Sequence, residues 1–378
     1  MKKEQLQTPA ILVDLDKLEN NLRTYHGAAA AHKKRIWPMI KTHKCAEIAR
    51  LQAELGATGF LAGTLDECEA LRDAGCKTIM YAYPTAGPAN IARVIALSQT
   101  CDFYIRLDGL DGGKMLNEAA GQAGTKIQYA IIVDSGLGRF GVELSQLPTF
   151  AAALRELPNL TFKGISTHPG HAYGGGAAGV AAAAADEKNI MGAAADLLRQ
   201  AGCPPELVTS GSTPTFAAAV DDANINIYHP GNYVFMDATQ ISLDRAKESD
   251  CSLTVLATVI SHPKEDIYII DAGAKCLGLD QGAHGNSAAK GYGKVKGHPE
   301  LLIYSLSEEV GKLRVEGRTE GNTEGRTDIK VGDRLEIIPN HSCSSANLTS
   351  HYIGCRGDRV EKVLTVDIRG NSTTKGAS

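Results

Sequence analysis

No apolar run in this chain approaches the length of a bilayer span. Runs such as residues 129–133 and 267–270 fall far short of the ~18 residues a span requires. Export is not expected either. Met1-Lys2-Lys3-Glu4 runs into a strand-like Ala10-Ile11-Leu12-Val13-Asp14 with no apolar stretch and no small-residue cleavage site between them. Charge of one sign is absent too, since 39 Lys plus Arg against 43 Asp plus Glu leave a balance of −4. Nothing global therefore draws the chain to nucleic acid or an anionic membrane, and neither is expected as a partner. The nine cysteines are odd in number and contain no Cys-x-x-Cys pair, which argues against a disulfide framework and a zinc ribbon. A reducing cytoplasm is the expected location, with most of the thiols acting as small buried hydrophobes. No internal repeat of about 20–50 residues is evident.

What remains is an ordinary globular composition. The chain has 378 residues, 43% hydrophobic and 22% charged, enough for about two domains. Between residues 36 and 237, β-rich runs (36–40, 59–62, 78–83, 103–107, 127–133, 162–167, 207–209, 225–228) alternate with segments of helical period (46–55, 65–74, 89–97, 146–157, 189–201). Eight strands joined by crossovers long enough for helices predict an α/β fold, a parallel (β/α)8 barrel of TIM type. After residue 250 the β runs continue without helices (253–261, 267–271, 301–306, 312–316, 334–339, 360–368), which predicts an antiparallel β domain. The expected division is 16–245 for the barrel and 1–15 plus 246–378 for the β domain, with strand 10–15 joining the latter. Residues 173–185, rich in Gly and Ala, read equally as a flexible loop or an Ala-rich helix, and 316–326 as a solvated hairpin tip.

Barrels of this kind carry active-site groups where strands end. Lys41-Thr42-His43-Lys44 follows the first strand, and a lysine aimed into the mouth beside a second cation is suited to forming a Schiff base; the alternative is a solvated basic turn. Gly136-Leu137-Gly138-Arg139-Phe140-Gly141 spells a dinucleotide fingerprint, a weak match in a chain with 40 glycines. The preferred reading is a sharp turn that projects Arg139 into the mouth. Ser210-Gly211-Ser212-Thr213-Pro214-Thr215 follows the seventh strand, with small residues, hydroxyls and a proline suited to a helix's first turn. It reads as a phosphate site, and Gly231-Asn232 after the next strand as a second close-approach turn. In the β domain, His341 and Cys343 at i and i+2 of an extended segment would share one face and could share an open metal site.

Together these motifs, with Trp37-Pro38-Met39-Ile40 before Lys41, His168-Pro169-Gly170-His171-Ala172-Tyr173 and Asp271-Ala272-Gly273-Ala274-Lys275, occur in an order that resembles the D-threonine aldolase and D-serine dehydratase family. These are metal-activated pyridoxal-phosphate enzymes of the alanine-racemase fold. The resemblance implies that Lys41 carries the cofactor as a Schiff base, that Arg139 approaches its phenolic oxygen, and that Tyr173 lies near its ring. It also implies that the Gly211, Ser212 and Thr213 turn holds the phosphate, with His168, Ser210, Gly231 and Asn232 as further cofactor-binding residues. His341 and Cys343 are implied to bind a divalent metal, zinc first, with manganese or cobalt as alternatives. Two positions depart from the family, Met39 and Val310, where imidazoles are usual.

His-x-Cys is the dehydratase pattern in this family and His-x-Asp the aldolase one, so a dehydratase of β-hydroxy D-amino acids is expected. In that reaction Lys41 takes the α-proton. A D-threonine aldolase with His43 as base is the alternative, and an amino-acid racemase or a non-catalytic cofactor carrier are the rivals. The resemblance also implies a homodimer.

Overall fold

A computed structural model of the chain describes residues 1–282, 289–316 and 327–368. Two compact units emerge. One comprises Met1–Arg23, Tyr173–Ala177 and Asn232–Asp367, and the other Thr24–Ala172 and Ala178–Gly231 with Ile368. Regular structure opens with β1 (Ala10–Asp14) and α1 (Leu15–Ala31). The alternation follows as β2 (Arg35–Ile36), α2 (Ala46–Glu54), β3 (Phe60–Ala62), α3 (Leu65–Asp73), β4 (Thr78–Tyr81), α4 (Pro88–Thr100), β5 (Asp102–Leu107) and α5 (Leu110–Gln122). It continues as β6 (Ile127–Ile132), α6 (Leu147–Arg155), β7 (Leu160–Ser166), α7 (Gly176–Gln200), β8 (Leu207–Ser210), α8 (Phe216–Ala219) and β9 (Ile227–Tyr228).

Strands β2 to β9 form one parallel sheet in the order β2-β9-β8-β7-β6-β5-β4-β3. Its ends meet: Met39, just past β2, bridges in parallel to Leu61 of β3, whose N–H donates to the Pro38 carbonyl at 2.9 Å. The expected barrel is thus what the chain builds. Alternation along the strands sends Trp37, Leu61, Met80, Tyr104, Ala130, Leu207 and Ile227 into a single interior cluster. The opposite faces, with Ile105, Tyr129 and Ile131, pack on Leu97, Leu116, Leu154 and Leu198 of the surrounding helices.

The differences from the sequence reading have local causes. Helix α5 went unpredicted because glycines 109, 112, 113 and 121 obscure its period. One of them is a packing device: a Cβ on Gly113 would stand 2.5 Å from Leu154 Cδ2 of α6. The Gly/Ala-rich segment is helical from Gly176 onward, as the start of α7. No helix opens at Gly136–Gly141; Val142 instead bridges to Val133 and α6 begins only at Leu147, which leaves the dinucleotide reading without the helix terminus it needs. Pro214 lies in a turn before α8 and not in the helix.

The other unit carries β10 (Leu253–Lys264), β11 (Ile267–Ile270), β12 (Lys294–Val295), β13 (Leu301–Leu306), β14 (Gly311–Val315), β15 (Arg334–Ile338), β16 (His351–Arg356) and β17 (Arg359–Thr365). With β1 they form a sheet in the order β11-β14-β13-β12-β15-β10-β1-β16-β17. All its pairings are antiparallel except β1 with β16. The amino-terminal strand therefore joins this domain, at mid-sheet. Strand β16 was not foreseen, because Gly354, against which Leu15 packs, interrupts its apolar alternation. Short helices α9 (Ala238–Ser242), α10 (Ala274–Leu277) and α11 (Ser342–Ala346) complete the unit. Of the expected hairpin tip, residues 317–326 lie outside the described residues.

Candidate active site

In the barrel unit, Lys41 occupies a short 3-10 turn, Ile40–Thr42, where the chain leaves β2. Its stem passes close to Gly63: a Cβ there would meet Lys41 Cβ at 3.2 Å, so the glycine makes room for the lysine. The Nζ reaches to 3.4 Å from the Tyr83 hydroxyl. Tyr83 in turn lies under the Arg139 guanidinium, 5.7 Å from ring centroid to Cζ, and Phe140 flanks the same cation at 5.4 Å. The loop that presents Arg139 is built as its glycines suggest. Asp134 accepts from the N–H groups of Gly136 (2.9 Å) and Gly138 (3.2 Å), and Gly141, at φ +111°, leaves no room for a Cβ, which would stand 2.5 Å from Asp134 N.

Arg106 adds a second cation that the sequence reading missed. It is buried on β5, two residues beyond inward-facing Tyr104, with its Nε on Met80 Sδ (3.4 Å) and its Nη2 without a hydrogen-bond partner. Burial, with a smaller push from Arg139, lowers its pKa to about 9. It lines a small cleft with Arg139, Thr167, His168 and Asp134. A charged residue in register with a barrel-facing aromatic is the signal that could have found it. Tyr83 was equally legible, two residues past β4.

The next turn, after β8, joins the same mouth. His168 Nδ1 lies 3.0 Å from the Gly211 carbonyl. Gly211 adopts φ +143°, and a Cβ on it would stand 2.8 Å from His229 N, so only glycine lets this turn pack against the backbone just after β9. Ser210, Ser212, Thr213 and Thr215 are all buried, with Ser212 Oγ 3.1 Å from Thr215 Oγ1. Gly231 is pressed on Met39 and Thr42.

Such a mouth fits pyridoxal phosphate: a lysine without a carboxylate among the described ion pairs, two arginines of which one has an unsatisfied Nη2, and a turn carrying the hydroxyls of Ser210, Ser212, Thr213 and Thr215. His43 does not share it. The ring is fully buried, its Nδ1 accepts from Cys45 N–H (3.2 Å), and burial lowers its pKa to about 4, so the base expected at this position is tied to the local fold instead.

The β-domain unit gathers the remaining candidates. His341 is extended (φ −136°) and caps α11, and Cys343 lies in that helix's first turn, so the expected extended pair is instead a helix entrance. Asp280 holds His341 Nδ1 at 2.9 Å. A carboxylate on one imidazole nitrogen, leaving the other for a ligand, is the usual outer support of a metal-binding histidine. Burial alone would lower the His341 pKa, but Cys343, Asp280 and Asp237 outweigh it and push the value to about 10.

Asn232 donates to Asp237 (2.6 Å) and Ser342 (2.9 Å), and lies 3.8 Å from Cys343 Sγ. Tyr173 receives a bond from Gln240 at 3.4 Å. Among the described residues no group of three or more His, Cys, Asp or Glu side chains is placed to hold a metal. One imidazole and one thiol, if they bound one, would leave further positions for solvent or substrate. Asp237, legible only as a helix cap, and Asp280, which carries no sequence signal, were both missed.

The alanine racemase N-terminal domain family matches residues 13–239, and a serine dehydratase domain family matches 252–355. The chain is 30% identical to the 3-hydroxy-D-aspartate aldolase of Paracoccus denitrificans strain Pd 1222, over 98% of this chain and 94% of that one. It belongs to the D-threonine aldolase and D-serine dehydratase family. The members of this family are pyridoxal-phosphate lyases of D-amino acids, with the alanine-racemase fold. A D-threonine aldolase from Arthrobacter sp. is also 30% identical, over 97% of this chain and 94% of its own. The solved D-threo-3-hydroxyaspartate dehydratase from Delftia sp. HT23 superposes with a TM-score of 0.87 at 28% identity, covering 96% of this chain and 98% of that one. A cysteine-to-alanine variant of such a dehydratase has been solved in a metal-free form.

Proposed function

We propose that this enzyme dehydrates β-hydroxy D-amino acids, releasing a 2-oxo acid and ammonia, with Lys41 as its catalytic amine. The observation that carries the reading is the Lys41 amine beside the Tyr83 hydroxyl, with the Tyr83 ring under Arg139, which shares a small cleft with Arg106 and His168. Pyridoxal phosphate held by Lys41, Arg139, His168 and the Ser210, Gly211, Ser212 and Thr213 turn supplies an electron sink for charge developing at the substrate's α-carbon. Tyr83 keeps the Lys41 amine oriented within the mouth, where that amine could take the α-proton of a bound substrate. Arg139 would stabilise negative charge on the bound cofactor, and the unsatisfied Arg106 guanidinium would add to that positive field.

His341 and Cys343 would hold a divalent metal, which supplies Lewis-acid stabilisation to an oxygen leaving group. A thiolate donor favours zinc, with manganese or cobalt as alternatives. Asp280 fixes the imidazole for that role, and Asp237 with Asn232 holds the helix entrance from which both donors project.

Dehydration is favoured over retro-aldol cleavage by the His341-x-Cys343 pattern, the dehydratase one in this family. Aldol cleavage also needs a base for the β-hydroxyl proton, and the candidate His43 is fully buried with its Nδ1 on the Cys45 N–H. The relatives include enzymes of both kinds. A homodimer in the cytoplasm completes the reading. The family resemblance suggests the first, and the absence of any disulfide among the nine cysteines supports the second.

The test is to incubate the loaded enzyme with D-serine, D-threonine and a 3-hydroxy-D-aspartate and to measure 2-oxo acid separately from glycine. 2-Oxo acid with ammonia is expected. Glycine and an aldehyde as the main products would replace this reading with the aldolase.

A further inference from the structure

Helix α7 carries a buried acid that no step above uses. Glu187 is fully buried in a helix whose other inward residues are mostly Ala, Val, Met and Leu. Its Oε1 accepts from Ser210 Oγ at 2.5 Å, at the point where β8 gives way to the phosphate turn. Its Oε2 has no well-directed partner, although the Thr215 hydroxyl at the far end of that turn stands close enough to favour the ionised form. Thr215 is itself 3.1 Å from Ser212 within the turn.

We propose that Glu187 is a positioning residue for the cofactor's phosphate: its carboxyl group spans the two ends of the 210–215 turn, and its protonation decides whether the Thr215 hydroxyl points at Glu187 or into the turn. The inference rests on the pyridoxal-phosphate reading of the barrel mouth.

The chemistry is that of a reversible relay. When Glu187 is protonated, its Oε2–H donates to Thr215 Oγ1, and the threonine's own proton is released toward Ser212 and any anion held there. When Glu187 is ionised, the carboxylate draws the Thr215 proton to itself and sets a negative charge behind a phosphate dianion. Phosphate binding and proton uptake at Glu187 therefore favour each other. Burial raises the Glu187 pKa to about 7, against the lowering effect of Ser210 and Thr215. Among the charged groups facing it, Asp222 raises the value further and Lys188 lowers it, while the Tyr228 hydroxyl is committed to the Ala219 carbonyl. The switch thus falls in a range where cofactor retention can be measured.

The experiment compares cofactor dissociation constants of wild type, Glu187→Gln and Glu187→Ala from pH 6 to pH 8.5, read from the cofactor's visible absorbance at increasing dilution. Glutamine is the neutral counterpart of the protonated acid: its oxygen can accept from Ser210 and its amide can donate to Thr215. In wild type the affinity should weaken as pH rises through 7, by about tenfold more than in Glu187→Gln. Glu187→Gln should retain tight binding at pH 8.5, and Glu187→Ala should bind weakly throughout. Parallel pH profiles in wild type and the glutamine variant would overturn the proposal, as would undiminished affinity in a folded alanine variant. Failure of wild type to bind the cofactor at any pH would instead remove the underlying reading of the barrel mouth.

Discussion

Replacing Asp237 by asparagine should damage the unit that carries His341 and Cys343 more than its single-atom difference suggests. Asp237 is fully buried at the head of α9, where Oδ1 accepts from Gln240 N–H at 2.9 Å. Oδ2 accepts from Asn232 Nδ2 at 2.6 Å and from Ser342 N–H at 3.0 Å. Asparagine keeps the helix cap through its own oxygen but puts an amide N–H2 in place of Oδ2, facing two donors. A buried donor stripped of its acceptor costs ~1–3 kcal/mol, so the pair costs about 2–6 kcal/mol. Burial holds the Asp237 pKa above its ordinary value, against His341, Ser342, Gln240 and Asn232, so removing the charge returns part of that cost. A net loss of about 3 kcal/mol is expected, and about 1 kcal/mol more for Asp237→Ala, which also loses the cap. The assay is denaturant unfolding, paired with metal titration of the folded protein. Because Ser342 opens the helix that carries Cys343 and directly follows His341, metal affinity should fall at least tenfold in the same variant. An asparagine variant with wild-type stability and unchanged metal affinity would refute the claim that this carboxylate holds the helix entrance.

Three further outcomes are expected. Lys41→Ala should abolish the cofactor's visible absorption band in the purified protein, and a band that persists would dismiss Lys41 as the attachment point. Cys343→Ala should leave that band in place while removing bound metal and metal-dependent turnover; turnover that survives chelation of the wild type would argue against a metal role. Glu187 also ties stability to pH. Its pKa rises from 4.5 in the open chain to about 7 in the fold, so the native state holds a proton that the unfolded state has lost between those values. Stability should decline as pH rises across that window, and above it the ionised form costs the fold about 3 kcal/mol. Glu187→Gln should accordingly melt with wild type near pH 4 and above it at pH 8 in calorimetry, and coincident melting at both pH values would reject the assignment.

Much of this was legible in the sequence because it depends on neighbours along the chain. The alternation of β runs with helical periods fixes a parallel barrel, since parallel strands require crossovers and each crossover is written as a local pattern. Lys41, Arg139 and the 210–215 turn could be picked out because a barrel gathers whatever follows its strands at one end. The unforeseen features depend on groups far apart in sequence. Arg106 became a buried cation only when seven other strands closed around β5. His43 was lost as a base because the residues after β2 fold it inward, which its position after a strand does not reveal. Asp237 meets Ser342 across 105 residues, and Asp280 meets His341 across 61. Periodicity reports which face of an element is apolar. Which polar groups meet inside, and therefore which protons and charges they keep, is set by long-range packing and the loss of water that comes with it.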